Sequence, residues 1–122
     1  MSSTIKSYED LTAWQMATVA CVEIYRASSG FPSDERFGLT SQLRRAAVSV
    51  PSNIAEGFGR GSRQDYARFL RVARGSLYEA ETQLQIAVRL GYLKESAHRG
   101  LKNQLAEAGR VLAGLIRSID KK

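Results

Sequence analysis

The feature that most constrains this chain is an apolar stripe at helical spacing that persists for about 28 residues. Tyr66, Phe69, Leu70, Ala73, Leu77, Ala80, Leu84 and Ala87 or Val88 mark one face of a single long helix. Ser62 with Asp65 resembles a capping box at its start, and Leu90-Gly91 stops it. About four residues later a second stripe begins near Glu95 or Ser96. It carries Leu101, Leu105, Ala108, Leu112, Leu115 and Ile119, alternating steps of four and three, the pattern of a bundle seam. So short a connection makes these two helices antiparallel neighbours.

The first half of the chain supplies two more helices. Between about Ser7 and Ser29, Leu11, Trp14, Cys21, Ile24 and Tyr25, with Ala17 and Val22 beside them, recur at helical spacing. Gly30, placed as a C′ residue, then ends the segment together with Phe31 and Pro32. A connection from Ser33 to Leu39 leads to Thr40, which reads as an N-cap. From there Leu43, Ala46, Ala47, Val50, Ile54 and Phe58 form one stripe that crosses Pro51. Because the spacing holds through the proline, one kinked helix is expected and not two. Gly57, Gly59 and Gly61 end it. No alternating β pattern competes, so the expected fold is all-α: a single domain over residues 1–122, an up-down-up-down four-helix bundle with a Pro-kinked second helix.

Several function classes drop out on composition. One cysteine, Cys21, and one histidine, His98, exclude an intrachain disulfide and multi-Cys or His-rich metal sites. No run approaches 18 consecutive apolar residues, which excludes a spanning helix. The polar start from Met1 to Asp10 has no apolar targeting core, so a cytoplasmic location is expected. Glu79 and Glu81 do not begin a Glu-x-x-His pair, so a di-iron site in the bundle is unsupported. Gly57-Phe58-Gly59-Arg60-Gly61 follows a helix and lacks a Lys-Ser/Thr ending, so it reads as a helix-to-helix turn and not as a nucleotide loop. Glu56 reads as a helix-end partner for an arginine, Cys21 as a buried inert thiol, and Trp14 as a core or interface aromatic. No catalytic residue, cofactor or metal is expected.

The charge is the informative feature. The chain has 18 Lys and Arg against 12 Asp and Glu, a net charge of +6. Residues 36–74 hold eight arginines against only Glu56 and Asp65, so the whole excess lies in one third of the chain. Arginine's planar fork suits phosphate and carboxylate partners. At 100° per residue, Arg68, Arg71 and Arg74 span about 120° of the third helix, away from its apolar stripe. Arg60 and Arg63 flank the turn before it, and Arg44 and Arg45 begin roughly 15 Å away along the bundle. Such a stripe matches a phosphate backbone better than a small anion. The candidate nucleic-acid-binding residues are therefore Arg44, Arg45, Arg60, Arg63, Arg68, Arg71 and Arg74. Trp14, Pro51, Gly57 and Gly59 are the candidate structural residues. Val111 and Ile116 in the fourth segment and Val19 in the first lie outside the main stripes, and with Tyr25 of the first they are the candidate self-association positions.

The run Ala13-Trp14-Gln15-Met16-Ala17 and the block from Phe31 to Arg60 (FPSDERFGLTSQLRRAAVSVPSNIAEGFGR) carry a resemblance to a known family. Gly75 to Thr82 (GSLYEAET) and Leu90-Gly91-Tyr92 extend it along nearly the whole chain. In these residues the chain resembles the bacterial four-helix-bundle proteins encoded in intervening sequences of large-subunit ribosomal RNA genes. Val50 stands where Ile is common in that family. The resemblance implies a four-helix bundle, a ring-like homopentamer and no established enzymatic activity. The family is also similar to the accessory variability protein of diversity-generating retroelements, a basic pentameric bundle implicated in binding nucleic acid and reverse transcriptase. Two functions remain open at the level of sequence. One is a non-enzymatic homo-oligomer that binds RNA or DNA with low sequence selectivity, and the other is a protein-interaction scaffold whose arginines meet acidic partners or neighbouring subunits.

Overall fold

The structure is a computed structural model that describes residues 4–121. The first three residues of the polar start, and Lys122 at the end of the expected domain, lie outside the described residues. Four α-helices, α1 (Thr12–Ser28), α2 (Leu39–Phe58), α3 (Arg63–Arg89) and α4 (Glu95–Asp120), and two 3-10 turns, Tyr8–Asp10 and Ser33–Glu35, account for the regular structure described. No strand occurs among the described residues. The protein is an all-α four-helix bundle.

Each helix packs against two others: α1 against α2 and α4, and α3 against α2 and α4, while the diagonal pairs stay apart. Side-chain pairings run oppositely along neighbouring helices. Ser49 meets Ser76 and Gly57 meets Phe69 across α2 and α3, while Leu77 meets Gly109 and Arg71 meets Asp120 across α3 and α4. The core between them is aliphatic, with Ile24, Leu43, Ile54, Leu70, Leu77, Leu84 and Leu112 fully buried. Fully burying each such side chain contributes roughly 1.5–3 kcal/mol.

The ends of the helices follow local chemistry. α3 begins with Ser62 Oγ accepting from the Asp65 amide at 3.1 Å. It ends on a Schellman motif: Gly91 takes φ 79°, its amide donates to Val88 at 3.0 Å, and the Tyr92 amide donates to Ala87 at 2.9 Å. Gly91 alone among the described residues has a positive φ, so Gly30 does not form the expected left-handed cap. Instead the chain leaves α1 through turns closed by Ser29 on Arg26 and Phe31 on Ser28. Thr40 is not the N-cap of α2 either. That helix starts at Leu39, whose amide donates to Glu35 Oε1 at 2.9 Å, so a carboxylate four residues upstream replaces the expected hydroxyl.

α2 runs through Pro51 as one element. Val50 and Ile54 are buried on either side of the proline, and their burial offsets a cost of about 3 kcal/mol for an interior proline. Asn53 adds a side-chain bond to the Ser49 carbonyl at 2.8 Å and another to Ser49 Oγ.

The apolar face of α1 is rotated relative to the sequence expectation. Ala13, Ala17, Ala20 and Ile24 are buried, Trp14 and Cys21 are half-buried, and Val22 and Tyr25 are exposed. Alanines allow a close helix approach, so the large side chains flank the contact and do not fill it. On α4 Ile116 is a core residue, 4% exposed, and Leu115 and Ile119 are its half-buried flanks. This corrects the reading of Ile116 as a self-association position. Val111 is half-buried against the core, whereas Val19 and Tyr25 are exposed.

Candidate nucleic-acid interface

The turn between α2 and α3 gathers four of the candidate arginines. Its geometry starts from Gly57, which is buried: a Cβ there would lie 2.8 Å from Phe69 Cβ and 3.2 Å from Tyr66. The absent side chain lets the two helices close on each other. Gly59, by contrast, would meet only ordinary contacts at 3.6 Å. Phe58 then packs edge-on to Tyr66, with ring centroids 6.1 Å apart, which fixes the exit of α2 relative to the entry of α3.

Phe69 becomes a platform for two guanidinium groups. Arg60 lies 4.8 Å and Arg68 4.7 Å from its ring centroid. Each has an acidic neighbour on its own helix or turn: Arg60 to Glu56 at 4.0 Å, and Arg68 to Asp65 at 3.5 Å. All four side chains of these pairs are substantially exposed. Exposed pairs of this kind contribute about 0–1 kcal/mol, so they hold the two guanidinium groups only weakly. Arg63 is exposed at the start of α3. Arg71 pairs with Asp120 at the end of α4 and shares a hollow with Arg63. Asp120, distant in sequence, thus adds an acid to the cluster that local charge counting missed.

The arginines of α2 are placed differently from one another. Arg44 is half-buried, donates to Ser28 Oγ at 2.9 Å and to the Tyr25 carbonyl at 3.1 Å, and lies 4.6 Å from the Tyr25 ring centroid. These interactions belong to the α1–α2 packing. Arg45, one residue on, is exposed and lines a groove of about 660 Å³ with Arg36 and Phe37. Arg36 sits 5.0 Å from the centroid of Phe37, a ring that is 87% exposed. The candidate residues drawn from the sequence include neither Arg36 nor Phe37. The available signal was an aromatic in a connection, out of register with both flanking stripes. Arg74 is half-buried on α3.

The remaining candidates show no catalytic arrangement. Trp14 packs edge-on to Tyr8 with centroids 5.2 Å apart. Burial raises the Cys21 thiol pKa above its ordinary value. Glu81 and His98 line a shallow hollow with Lys102 between α3 and α4. Desolvation raises the Glu81 carboxyl pKa, and Lys102 opposes that in part. No group of three His, Cys, Asp or Glu side chains among the described residues is placed to hold a metal ion. No helix among them is long and apolar enough to cross a membrane.

Fold and site together define an arginine-rich four-helix bundle. The family of 23S rRNA-intervening sequence proteins matches it over residues 9–114, and the chain belongs to that family. Among solved structures it is similar to a protein of unknown function from the S23 ribosomal protein family of Bacteroides thetaiotaomicron. That likeness has a TM-score of 0.77 at 22% identity and covers 86% of this chain and 98% of the other, so it bears on fold alone. No curated protein matches the chain.

Proposed function

We propose that this chain is a non-enzymatic, cytoplasmic homo-oligomer that binds RNA or DNA through its α2–α3 arginine surface with low sequence selectivity. The observation that carries this reading is the exposure of Arg60, Arg63 and Arg68 around one turn, with only weak lateral pairs holding two of them. Phosphate contacts position a nucleic acid without reading its bases, and the described residues form no base-reading module of known type. Repetition of the surface in each subunit multiplies a weak contact. Five copies is the number the family resemblance gives.

The experiment is salt-dependent binding of structured RNA, duplex DNA and heparin between about 50 and 200 mM salt. Each phosphate that a variant no longer neutralises lowers the log–log slope for duplex binding by about 0.9. An Arg60→Ala, Arg63→Ala, Arg68→Ala triple variant is expected to bind more weakly and with a shallower slope. No binding by the folded native protein at low salt would overturn the reading. Light scattering should give a mass well above the 13.5 kDa of one chain.

A second reading, a protein-interaction scaffold, draws on exposed apolar residues: Val19 and Val22 on α1, and Val72, Tyr78 and Ile86 on α3. It predicts oligomerisation, or capture of an acidic partner, without affinity for nucleic acid.

A further inference from the structure

The groove at the start of α2 combines features that a simple cationic surface does not need. Phe37 projects from the connection between the Ser33–Glu35 turn and α2, with 87% of its surface in water. Leaving a whole phenyl ring in water forgoes the stabilisation that burying it would give. Its neighbour Arg36 lies over the ring, and Arg45 lines the same groove. Neither arginine has an acidic side chain within 4.0 Å among the described residues, unlike Arg60, Arg68 and Arg71 at the turn. Thr40 also lines the groove.

We infer that this groove is a single-strand nucleic-acid site in which an unpaired base stacks on Phe37 while Arg36 and Arg45 hold the flanking phosphates. The inference rests on the nucleic-acid reading above and adds its substrate class: strands with unpaired bases. Stacking on an exposed aromatic is tolerant of sequence because every base has a π-face, and adjacent guanidinium groups follow the backbone. Ser52 and Asn53 farther along the groove offer further polar partners. A second protein surface fits less well. Apart from Phe37, the exposed large apolar residues of the groove are Val48 and the arginine-covered Tyr25, and the rest of its rim is cationic and polar. Two copies of it face to face would set arginines against arginines.

The test uses the full chain with four probes: a single-stranded 12-nucleotide RNA, its DNA counterpart, the matching DNA duplex, and heparin. Affinities are read by fluorescence anisotropy, direct or competitive, at fixed low salt, and masses by light scattering. Phe37→Ala should weaken single-strand binding about 5- to 150-fold, the range expected for loss of one stacked base. Duplex and heparin affinities should stay within about twofold, and Phe37→Trp should retain single-strand affinity. RNA and DNA strands should respond alike if stacking dominates. Unchanged single-strand affinity in Phe37→Ala would overturn the site, as would an equal loss for all four probes. A fall in oligomer mass for Phe37→Ala would also overturn it, assigning the ring to a contact between copies. Native protein that binds single strands in a Phe37-dependent way but neither duplex nor heparin would sustain this site while removing the broader arginine surface. Binding of none of the four would remove both.

Discussion

The α2–α3 contact and the α1–α4 contact solve the same packing problem with different materials. On the α2–α3 side the helices close on small residues. Gly57 lies against Phe69, and Ser49 and Ser76 share a hydrogen bond at 2.8 Å. The α1–α4 side keeps a hollow of about 370 Å³ lined by Gln15, Met16, Val19, Asn103, Gln104 and Glu107. The charge divides the same way: residues 36–74, which include α2 and the first half of α3, hold the net excess, and the rest of the chain is balanced. A close contact beneath the arginines sets their spacing, which the phosphate-binding surface proposed above would need. The looser pair carries no such demand.

Core truncation gives the largest expected effect and the most direct way to break that comparison. Ile54→Ala, at a fully buried position on α2, should cost about 2–5 kcal/mol in urea denaturation. Met16→Ala, half-buried beside the surface hollow, should cost about 1 kcal/mol or less because much of its side chain is already in water. Equal costs would mean that Met16 is packed in solution as fully as Ile54.

Glycine replacements sharpen the same contrast. Gly57→Ala gains up to about 1 kcal/mol of helix propensity but drives a methyl group into Phe69 and Tyr66, an overpacking cost of roughly 1–3 kcal/mol. A net destabilisation is expected. Gly75→Ala, with nothing within 4 Å of the added carbon, should instead stabilise by about 0.5–1 kcal/mol. If both changes stabilise, α2 and α3 are free to move apart and the rigid-platform argument fails.

How far the sequence reveals this arrangement depends on the range of the forces involved. The stripes of α3 and α4 are local periodic signals, and the α3 stop at Gly91 is local too, so those elements could be read directly from the sequence. The burial of α1 could not. Its alanines are nearly silent in a hydrophobicity pattern, yet they set the contact, while Tyr25 looks apolar and ends up under Arg44. The start of α2 lies close to the expected Thr40, but its capping group is not legible because Glu35 caps it from outside the usual motif. Counting arginines along the chain recovered the exposed cluster at the turn. It could not separate Arg44 from Arg45, because that distinction depends on Ser28 and Tyr25 of another helix. Nor could it anticipate Asp120 beside Arg71, 49 positions away.

That separation yields the next effect in size. Arg44→Ala removes two hydrogen bonds to α1 and a ring contact, and leaves the buried Ser28 hydroxyl without its guanidinium partner. A loss of about 1–2 kcal/mol is expected. Arg45→Ala should change stability by less than about 0.5 kcal/mol, as exposed substitutions do, and should act on nucleic-acid affinity alone. Thermal melts of the two variants decide it. Similar losses would place Arg45 in the packing and remove it from the binding surface.

The smallest effect concerns the bond that ties the two halves of the bundle together away from both contacts. Tyr92 Oη, in the turn between α3 and α4, donates to Glu35 Oε2 at 2.8 Å, while Glu35 Oε1 accepts from Leu39. Both bonds favour the carboxylate, the Leu39 amide foremost, so the Glu35 pKa lies below its ordinary 4.5. The Tyr92 phenol is held above its ordinary 10.0, first by donating to Glu35. A lowered acid contributes stability that is present above its unfolded value and is lost as pH falls through the folded one. A raised phenol contributes stability that is present below 10.0 and is lost as pH rises beyond it. The stability difference between native protein and Tyr92→Phe should therefore be greatest near neutral pH. It should shrink both below pH 4.5 and above pH 10.0, because each limit removes one partner of the same bond. Chemical denaturation of both proteins across that range measures the difference directly. No difference at any pH would show that Tyr92 holds the α3–α4 turn through its ring on Phe31, 5.7 Å away between centroids and kept in Tyr92→Phe, and that the hydroxyl adds nothing.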